Sequence, residues 1–292
     1  MAQVYCLGSL NLDFVYQVDS IVSPGQTIKS LEVQTHLGGK GGNQSIALAR
    51  AGANVSHIGS IGADGIELRR NLESNGVNVQ FVRVGEVRTG HAIIQVQRSG
   101  QNAIIVEAGA NGSISEELIR TALETAEPGD WLLAQNETNL VPWAIEFAKK
   151  RGVRIAYNPS PFDAETVAAV LPYLDLIILN ETEGRDLTGE SDPLLIIKGV
   201  RGRAPRLDIA LTLGGDGAYL ASNEETYFQP AQKVTTVDTT GAGDTFLGYL
   251  LGSLTRGIDK KNALERASRA AAVCVTRRGA AASIPLAVEI DS

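Results

Sequence analysis

The stretch Asp238-Thr239-Thr240-Gly241-Ala242-Gly243-Asp244-Thr245-Phe246 joins a glycine-rich turn, a helix start and a carboxylate. Behind the turn, Phe246, Leu247, Leu250, Leu251 and Leu254 recur at helical spacing, which predicts one buried face. The unpaired N–H groups at a helix start, together with the helix dipole, favour bound negative charge. Gly241 and Gly243 carry no Cβ, so a ligand can come close to the backbone there. Asp244 fits poorly in a pure anion site, because its own charge repels a phosphate. Beside an anion hole, a carboxylate makes sense as the acceptor of a proton from an attacking hydroxyl. A second reading needs no chemistry at all: Asp244 as a helix N-cap behind a glycine turn. The segment alone leaves both open.

The elements that position this segment read as α/β. Apolar, β-rich runs at 3–8, 55–61, 130–135, 153–157, 174–179 and 208–213 alternate with helical patterns near 43–52, 64–75, 115–126, 140–151 and 163–171. That order predicts βαβ units on a mostly parallel sheet. Two longer helices follow, at about 243–255 and 260–276; on the second, Ala263, Leu264, Ala267, Ala270, Ala271 and Cys274 share a face. The stretches 14–37 and 88–107 alternate like half-exposed strands, with Arg98-Ser99-Gly100-Gln101 as a hairpin turn. No repeat or low-complexity linker divides the chain, which is expected to be one domain with that small appendage.

Five of the strand-like runs end in small and polar residues. They lead into Gly8 to Asp13, Asn136-Glu137, Asn158-Pro159-Ser160-Pro161, Asn180-Glu181-Thr182-Glu183 and Gly214-Gly215-Asp216-Gly217. Open parallel sheets bind ligands outside the carboxyl ends of their strands, so these ends describe one wide cleft. Each Asn or Asp taken singly could be a helix N-cap. A second glycine turn, Gly38-Gly39-Lys40-Gly41-Gly42-Asn43, also precedes a helix. It is not a phosphate P-loop, because Gly41 stands where Ser or Thr must follow the lysine. The dinucleotide fingerprint fails too, with Phe246 in place of the third glycine. Two tight turns suggest two close ligand approaches.

Composition narrows the function classes. The 292 residues are 43% hydrophobic and 20% charged, with a formal charge of −7, as in an ordinary globule with ample core. A pI near 5.1 argues against a nucleic-acid footprint. No apolar run approaches the length of a membrane span, and no basic-then-apolar leader precedes the first strand. Two cysteines, Cys6 and Cys274, each lie in an apolar run and suit a reducing compartment, so a cytoplasmic location is expected. Lys149-Lys150-Arg151 is read as the basic end of the helix before it.

In order and spacing, Asn11-Leu12-Asp13, Gly38 to Gln44, Asn180-Glu181-Thr182-Glu183 and Asp238 to Phe246 resemble the ribokinase branch of the ribokinase/PfkB sugar kinase family. The likeness covers nearly the whole chain. It implies a ribokinase-like, mostly parallel sheet sandwiched by helices, with a small β-sheet lid over the sugar and dimers formed by paired lids. It also implies transfer of the ATP γ-phosphoryl group to a sugar hydroxyl, D-ribose first among the sugars. Deoxyribose, a ketohexose, 2-keto-3-deoxygluconate and a non-catalytic sensor on the same fold are the alternatives.

By the same resemblance, Asp244 is the base, and the N–H groups of Gly241, Ala242 and Gly243 form the anion hole. Asn11, Asp13, Gly39, Lys40, Asn43 and Glu137 match sugar contacts, with Ala92 and Ile104 supplying apolar contacts from the lid. Asn180 and Glu183 match the Asn-x-x-Glu motif that positions Mg²⁺, largely through water, and Asn158 assists near the phosphates. Thr212, Gly214 and Gly217 match a nucleotide-binding Thr-x-Gly-x-x-Gly pattern. Asp238, Thr240, Cys274, Arg277, Gly279 and Ser283 match a K⁺ loop. The chain departs from the family at Gly42, where Ala is usual, at Asn136, where an apolar residue is common, and at His91 beside Ala92.

Overall fold

The computed structural model describes residues 2–291. Thirteen strands run in the order β1 (Gln3–Leu7), β2 (Asn11–Val18), β3 (Glu32–Gly38), β4 (Asn54–Gly62), β5 (Asn78–Gly85), β6 (Gly90–Gln97) and β7 (Asn102–Glu107). They continue as β8 (Trp131–Gln135), β9 (Arg154–Asn158), β10 (Leu176–Asn180), β11 (Asp208–Thr212), β12 (Ala218–Ala221) and β13 (Thr226–Gln229). The helices are α1 (Lys40–Arg50), α2 (Ile66–Ser74), α3 (Glu116–Glu124), α4 (Val141–Lys150) and α5 (Ala164–Val170). After them come α6 (Glu181–Thr188), α7 (Pro193–Arg203), α8 (Ala242–Thr255), α9 (Lys260–Cys274) and α10 (Ala287–Ile290).

Nine strands form the main sheet in the order β13-β12-β11-β10-β9-β8-β1-β4-β5. All pairings from β11 to β5 are parallel, while β12 and β13 add an antiparallel edge. Two apolar clusters pack the sheet, one on each face. Val4, Cys6, Leu133 and Ile178 face α1, α8 and α9, whereas Leu7, Leu132, Ile155 and Ile177 face the helices of the middle segment. Burial on both faces explains why the central strands read as unbroken apolar runs.

The second sheet has four strands in the order β3-β2-β6-β7. It is built from the two stretches that alternate in the sequence, and the β6–β7 turn closes through Gln97, whose N–H donates to Gln101 O at 2.9 Å. β2 begins at Asn11, so the carboxyl end of β1 passes almost directly into the small sheet.

Several elements differ from expectation. α8 is buried nearly all round rather than along one face, because it is sandwiched between α1 and α9. Its glycines permit this. A Cβ on Gly248 would lie 2.3 Å from Ala47 Cβ, and one on Gly252 would lie 2.9 Å from Ala51 Cβ. α1 starts at Lys40, earlier than its apolar pattern suggests, because Gly38 to Gly42 wind straight into the helix. β5, β12, β13, α6, α7 and α10 go beyond the elements read from the sequence; β5 and β13 are edge strands, and α10 is a four-residue piece near the end of the chain. Among the described residues no helix is long and apolar enough to cross a membrane.

Candidate active site

β11, β10, β9, β8 and β1 are consecutive neighbours, so their carboxyl ends stand in one row. The polar residues of the five strand ends therefore share one edge of the sheet. In register, Asn180 lies beside Thr212 and Gln135 beside Asn158.

Asp244 sits above this row in the first turn of α8. It is not the cap: Gly241 occupies that position with φ 77°, a left-handed conformation that favours glycine. The carboxylate is instead tied to α1. Asn43 Nδ2 donates to Oδ2 at 3.0 Å and Gln44 Nε2 donates to Oδ1 at 2.8 Å. Burial raises the Asp244 pKa from its ordinary value, against which Lys40 and the two amide donors pull it down. Partial exposure leaves the carboxylate open to the cleft. No atom lies within 4 Å of where a Gly243 Cβ would be, so the helix start faces open space. The Ala242 N–H already donates to Thr239 O at 3.2 Å. Among the described residues none accepts from the Gly241 or Gly243 N–H, so both amides are without a partner.

Asn11, Asp13, Gly39, Lys40, Asn43 and Glu137 come together where β1, β2 and α1 meet. Gly39 precedes α1 at φ 92°, and a Cβ there would strike Ser9 O at 2.6 Å. Glu137 accepts from the Lys40 N–H at 3.1 Å and from Ser9 Oγ, while its other oxygen lies 3.8 Å from Lys40 Nζ. Asp13 lies over Gly38, so close that a Cβ on Gly38 would be 2.1 Å from its Oδ2. Desolvation first, and then the Glu137 charge, push the Asp13 carboxyl up to about 6, with Lys40 opposing. Ala92 pairs with Asp13 across β2 and β6 and is buried. Ile104 follows on the same face through Ile94 but remains 53% exposed.

On the other side of Asp244 lie the residues matched to nucleotide and metal. Asn180 and Glu183 close a capping box: Asn180 Oδ1 accepts from the Glu183 N–H at 2.9 Å, and Glu183 Oε2 accepts from the Asn180 N–H at 3.0 Å. One Glu183 oxygen remains outside that box. Thr212 donates to Leu179 O at 3.3 Å; beyond it Gly214 (φ 53°) and Gly217 (φ 124°) shape the turn into β12. Asp238 stitches two loops together, accepting from Thr240 N and Oγ1 at 2.9 and 2.7 Å and from the Gly279 N–H at 2.9 Å. Ser283 Oγ is 3.0 Å from Cys274 Sγ. The Arg277 side chain turns away to pair with Glu289. Among the described residues no cluster of three or more His, Cys, Asp or Glu could hold a metal.

The three departures from the family pattern have local reasons. A Cβ on Gly42 would sit 3.1 Å from Leu10 Cδ2, a tight fit. Asn136 spends its amide on structure, accepting from Tyr157 OH and donating to Pro161 O at 2.9 Å. His91 points to the face opposite Ala92 and packs edge-on against Phe14 at 6.0 Å.

Four residues of the site escape sequence reasoning. Asn111 donates to Asn11 Oδ1 at 2.7 Å and accepts from the Leu10 N–H at 2.9 Å, which fixes the Asn11 amide. Ser9 holds Glu137, and Gln44 and Gln135 stand behind Asp244. Gln44 and Ser9 lie within the segments Gly38 to Gln44 and Gly8 to Asp13, so their neighbours are a signal, although the resemblance gives neither a role. Asn111 lies in a short turn with no such marker.

Residues 1–287 match the model of the pfkB family carbohydrate kinases. The ribokinase of Schizosaccharomyces pombe is 35% identical, covering 100% of this chain and 97% of that protein. The deoxyribokinase of Salmonella typhi is 32% identical over 96% of this chain and 94% of its own. The structure of Arabidopsis thaliana ribokinase complexed with ribose and ATP superposes with a TM-score of 0.87 at 29% identity, covering 99% of this chain and 98% of that one.

The surroundings of Asp13 lead to a direct expectation. Its side-chain carbon, followed by ¹³C NMR, should titrate near pH 6. Glu137→Gln removes a repelling charge and should lower that midpoint, and Lys40→Met should raise it, each by up to about one pH unit. A wild-type midpoint near the usual carboxylate value, or shifts of opposite sign, would contradict a carboxyl raised by burial and by Glu137.

Proposed function

The chain belongs to the pfkB family of carbohydrate kinases, in its ribokinase branch, and from that premise we propose that it transfers the γ-phosphoryl group of ATP to D-ribose, giving ribose 5-phosphate. One observation carries the reading: a single half-buried carboxylate, Asp244, is bonded to α1 on the sugar side and sits beside free amides at the start of α8. The sugar hydroxyl approaches Asp244, which takes its proton as the oxygen attacks the γ-phosphorus and the bond from that phosphorus to the bridging oxygen breaks, releasing ADP. Negative charge growing on the transferring group meets the Gly241 and Gly243 N–H groups and the positive end of α8, already oriented.

Asp13, Asn11, Asn43, Glu137 and Lys40 present acceptors and donors to several hydroxyls at once. Gly39 lets the sugar approach the backbone. Ala92 and Ile104 close over it from the small sheet, which acts as a lid and excludes water from the transfer. Thr212, Gly214 and Gly217 border the nucleotide, with Asn158 near its phosphates.

The donor set suits the ions the family implies. Asn180 and the spare oxygen of Glu183 would hold Mg²⁺ mainly through water, in keeping with its reluctance to dehydrate. Bound there, Mg²⁺ would neutralise phosphate charge. Asp238, Thr240, Ser283 and the carbonyls of Cys274, Arg277 and Gly279 offer mostly oxygen donors to K⁺, directly behind the Gly241 turn. Buried free Cys6 and Cys274 suit the reducing cytoplasm.

Exposed apolar residues on the small sheet, including Val33, Ile93 and Ile105, support a homodimer formed by the lids. Sedimentation should find a dimer that Ile105→Glu converts to monomer; an unchanged dimer would place the contact elsewhere.

A coupled assay with ATP across pentoses and hexoses, with and without K⁺, tests the sugar. D-ribose should have the highest kcat/KM. A much higher value for deoxyribose, the sugar in the name of the Salmonella deoxyribokinase, would replace ribose and leave the chemistry standing. Asp244→Asn should lower kcat by at least ~10²-fold with ATP affinity nearly intact. Unchanged turnover would remove Asp244 as base.

A further inference from the structure

Behind Asp244 runs a chain of buried amides to which the roles above give no task. Gln44 and Gln135 are both fully excluded from solvent. Gln44 Nε2 lies 2.8 Å from Asp244 Oδ1 and 3.1 Å from Asn158 Oδ1. Only an NH₂ group satisfies two acceptors there; a carbonyl would face two oxygens. The Asn158 amide is fixed in turn, because its Nδ2 donates to Ile178 O at 3.1 Å. Gln44 Oε1 must therefore point away from Asp244, where Gln135 Nε2 donates to it at 2.7 Å.

The far end of the chain is not satisfied. Gln135 Oε1 is buried without a hydrogen-bond partner among the described residues, a state that protein interiors seldom keep. Turning the Gln135 amide over would set its oxygen against Gln44 Oε1. The orientation is thus dictated from the Asp244 end, and an apolar side chain would fill the Gln135 site without an orphaned acceptor.

We propose that Gln44 is a positioning residue for phosphoryl transfer: it holds the Asp244 carboxylate in one orientation, ready to accept a proton, and Gln135 backs the Gln44 amide in that orientation by donating to its Oε1. The inference rests on the reading of Asp244 as the base. With Asn43 on Oδ2 and Gln44 on Oδ1, rotation of the carboxylate breaks both bonds, so its remaining lone pairs stay directed at the cleft. Gln44 is also the donor shared with Asn158, which joins the base to the strand end on the nucleotide side. The other ionisable groups bearing on Asp244 are Lys40 from α1, Glu137 after β8 and the buried Cys6 thiol of β1.

Gln44→Glu and Gln135→Leu test this, with Asp244→Asn as reference. The Asp244 carboxyl carbon is followed by ¹³C NMR and assigned by its loss in Asp244→Asn. In parallel, kcat and KM are measured against pH with MgATP and the acceptor the sugar panel selects, D-ribose first. Gln44→Glu sets two carboxyl groups together and should raise the Asp244 midpoint by at least ~1 unit, tenfold in proton affinity. The acid limb of kcat/KM should move with it, while KM for ATP stays within about threefold. Gln135→Leu leaves both Asp244 bonds in place and should shift the midpoint less, in the same direction, with kcat falling more than either KM. If Gln44→Glu does not fold, Gln135→Leu carries the test. An unmoved titration together with loss uniform across pH overturns the proposal while an inactive Asp244→Asn keeps the base. Wild-type kcat in Asp244→Asn removes both.

Discussion

Asp244 is held by the packing of two helices whose facing stripes repeat every four residues. Asn43 and Ala47 lie along α1 with Ala51 capping its end, and Asp244, Gly248 and Gly252 lie opposite them along α8. The glycines bring the backbones together, so close that a Cβ on Gly248 would lie only 2.3 Å from that of Ala47. That approach is what allows an α1 amide to reach an α8 carboxylate. The structural contact and the chemical one are successive rungs of the same ladder. Side chains larger than glycine at 248 would push the helices apart and separate Asn43 from Asp244.

The electrostatics follow from that placement. A carboxylate taken out of water resists ionisation, and here Lys40, Gln44 and Asn43 work against the burial. Burial also raises Asp13, where the Glu137 charge adds to it and Lys40 opposes it, and its carboxyl lies near 6. Two carboxylates within one site are thus both raised by burial, while different neighbours oppose it: Lys40 alone at Asp13, and Lys40 with two amide donors at Asp244.

Much of this is legible in the sequence, for physical reasons. Strands covered on both faces must be apolar throughout, so the central strands announce themselves, and their polar ends mark the cleft. Glycines at dihedral angles that other residues rarely adopt, such as Gly39 and Gly241, are visible for that reason. α7 carries too little one-sided periodicity to declare itself, and β12 and β13 are only four residues each. α8 misleads in a different way: its one-sided pattern is real, but Gly248 and Gly252 bury the other side through backbone contact, which hydropathy does not register. Gln44, Gln135 and Asn111 act through hydrogen bonds to residues far along the chain, and no local spacing encodes such partners.

The most direct measurement is a crystal structure with D-ribose, Mg²⁺ and a non-hydrolysable ATP analogue bound together. An Asp244 oxygen should then stand about 2.6–3.2 Å from one sugar hydroxyl. That hydroxyl should point at the terminal phosphorus, with the Gly241 and Gly243 N–H groups directed at the phosphate oxygens. A sugar whose nearest hydroxyl meets a different carboxylate, with Asp244 bonded only to Asn43 and Gln44, would contradict the account at its centre.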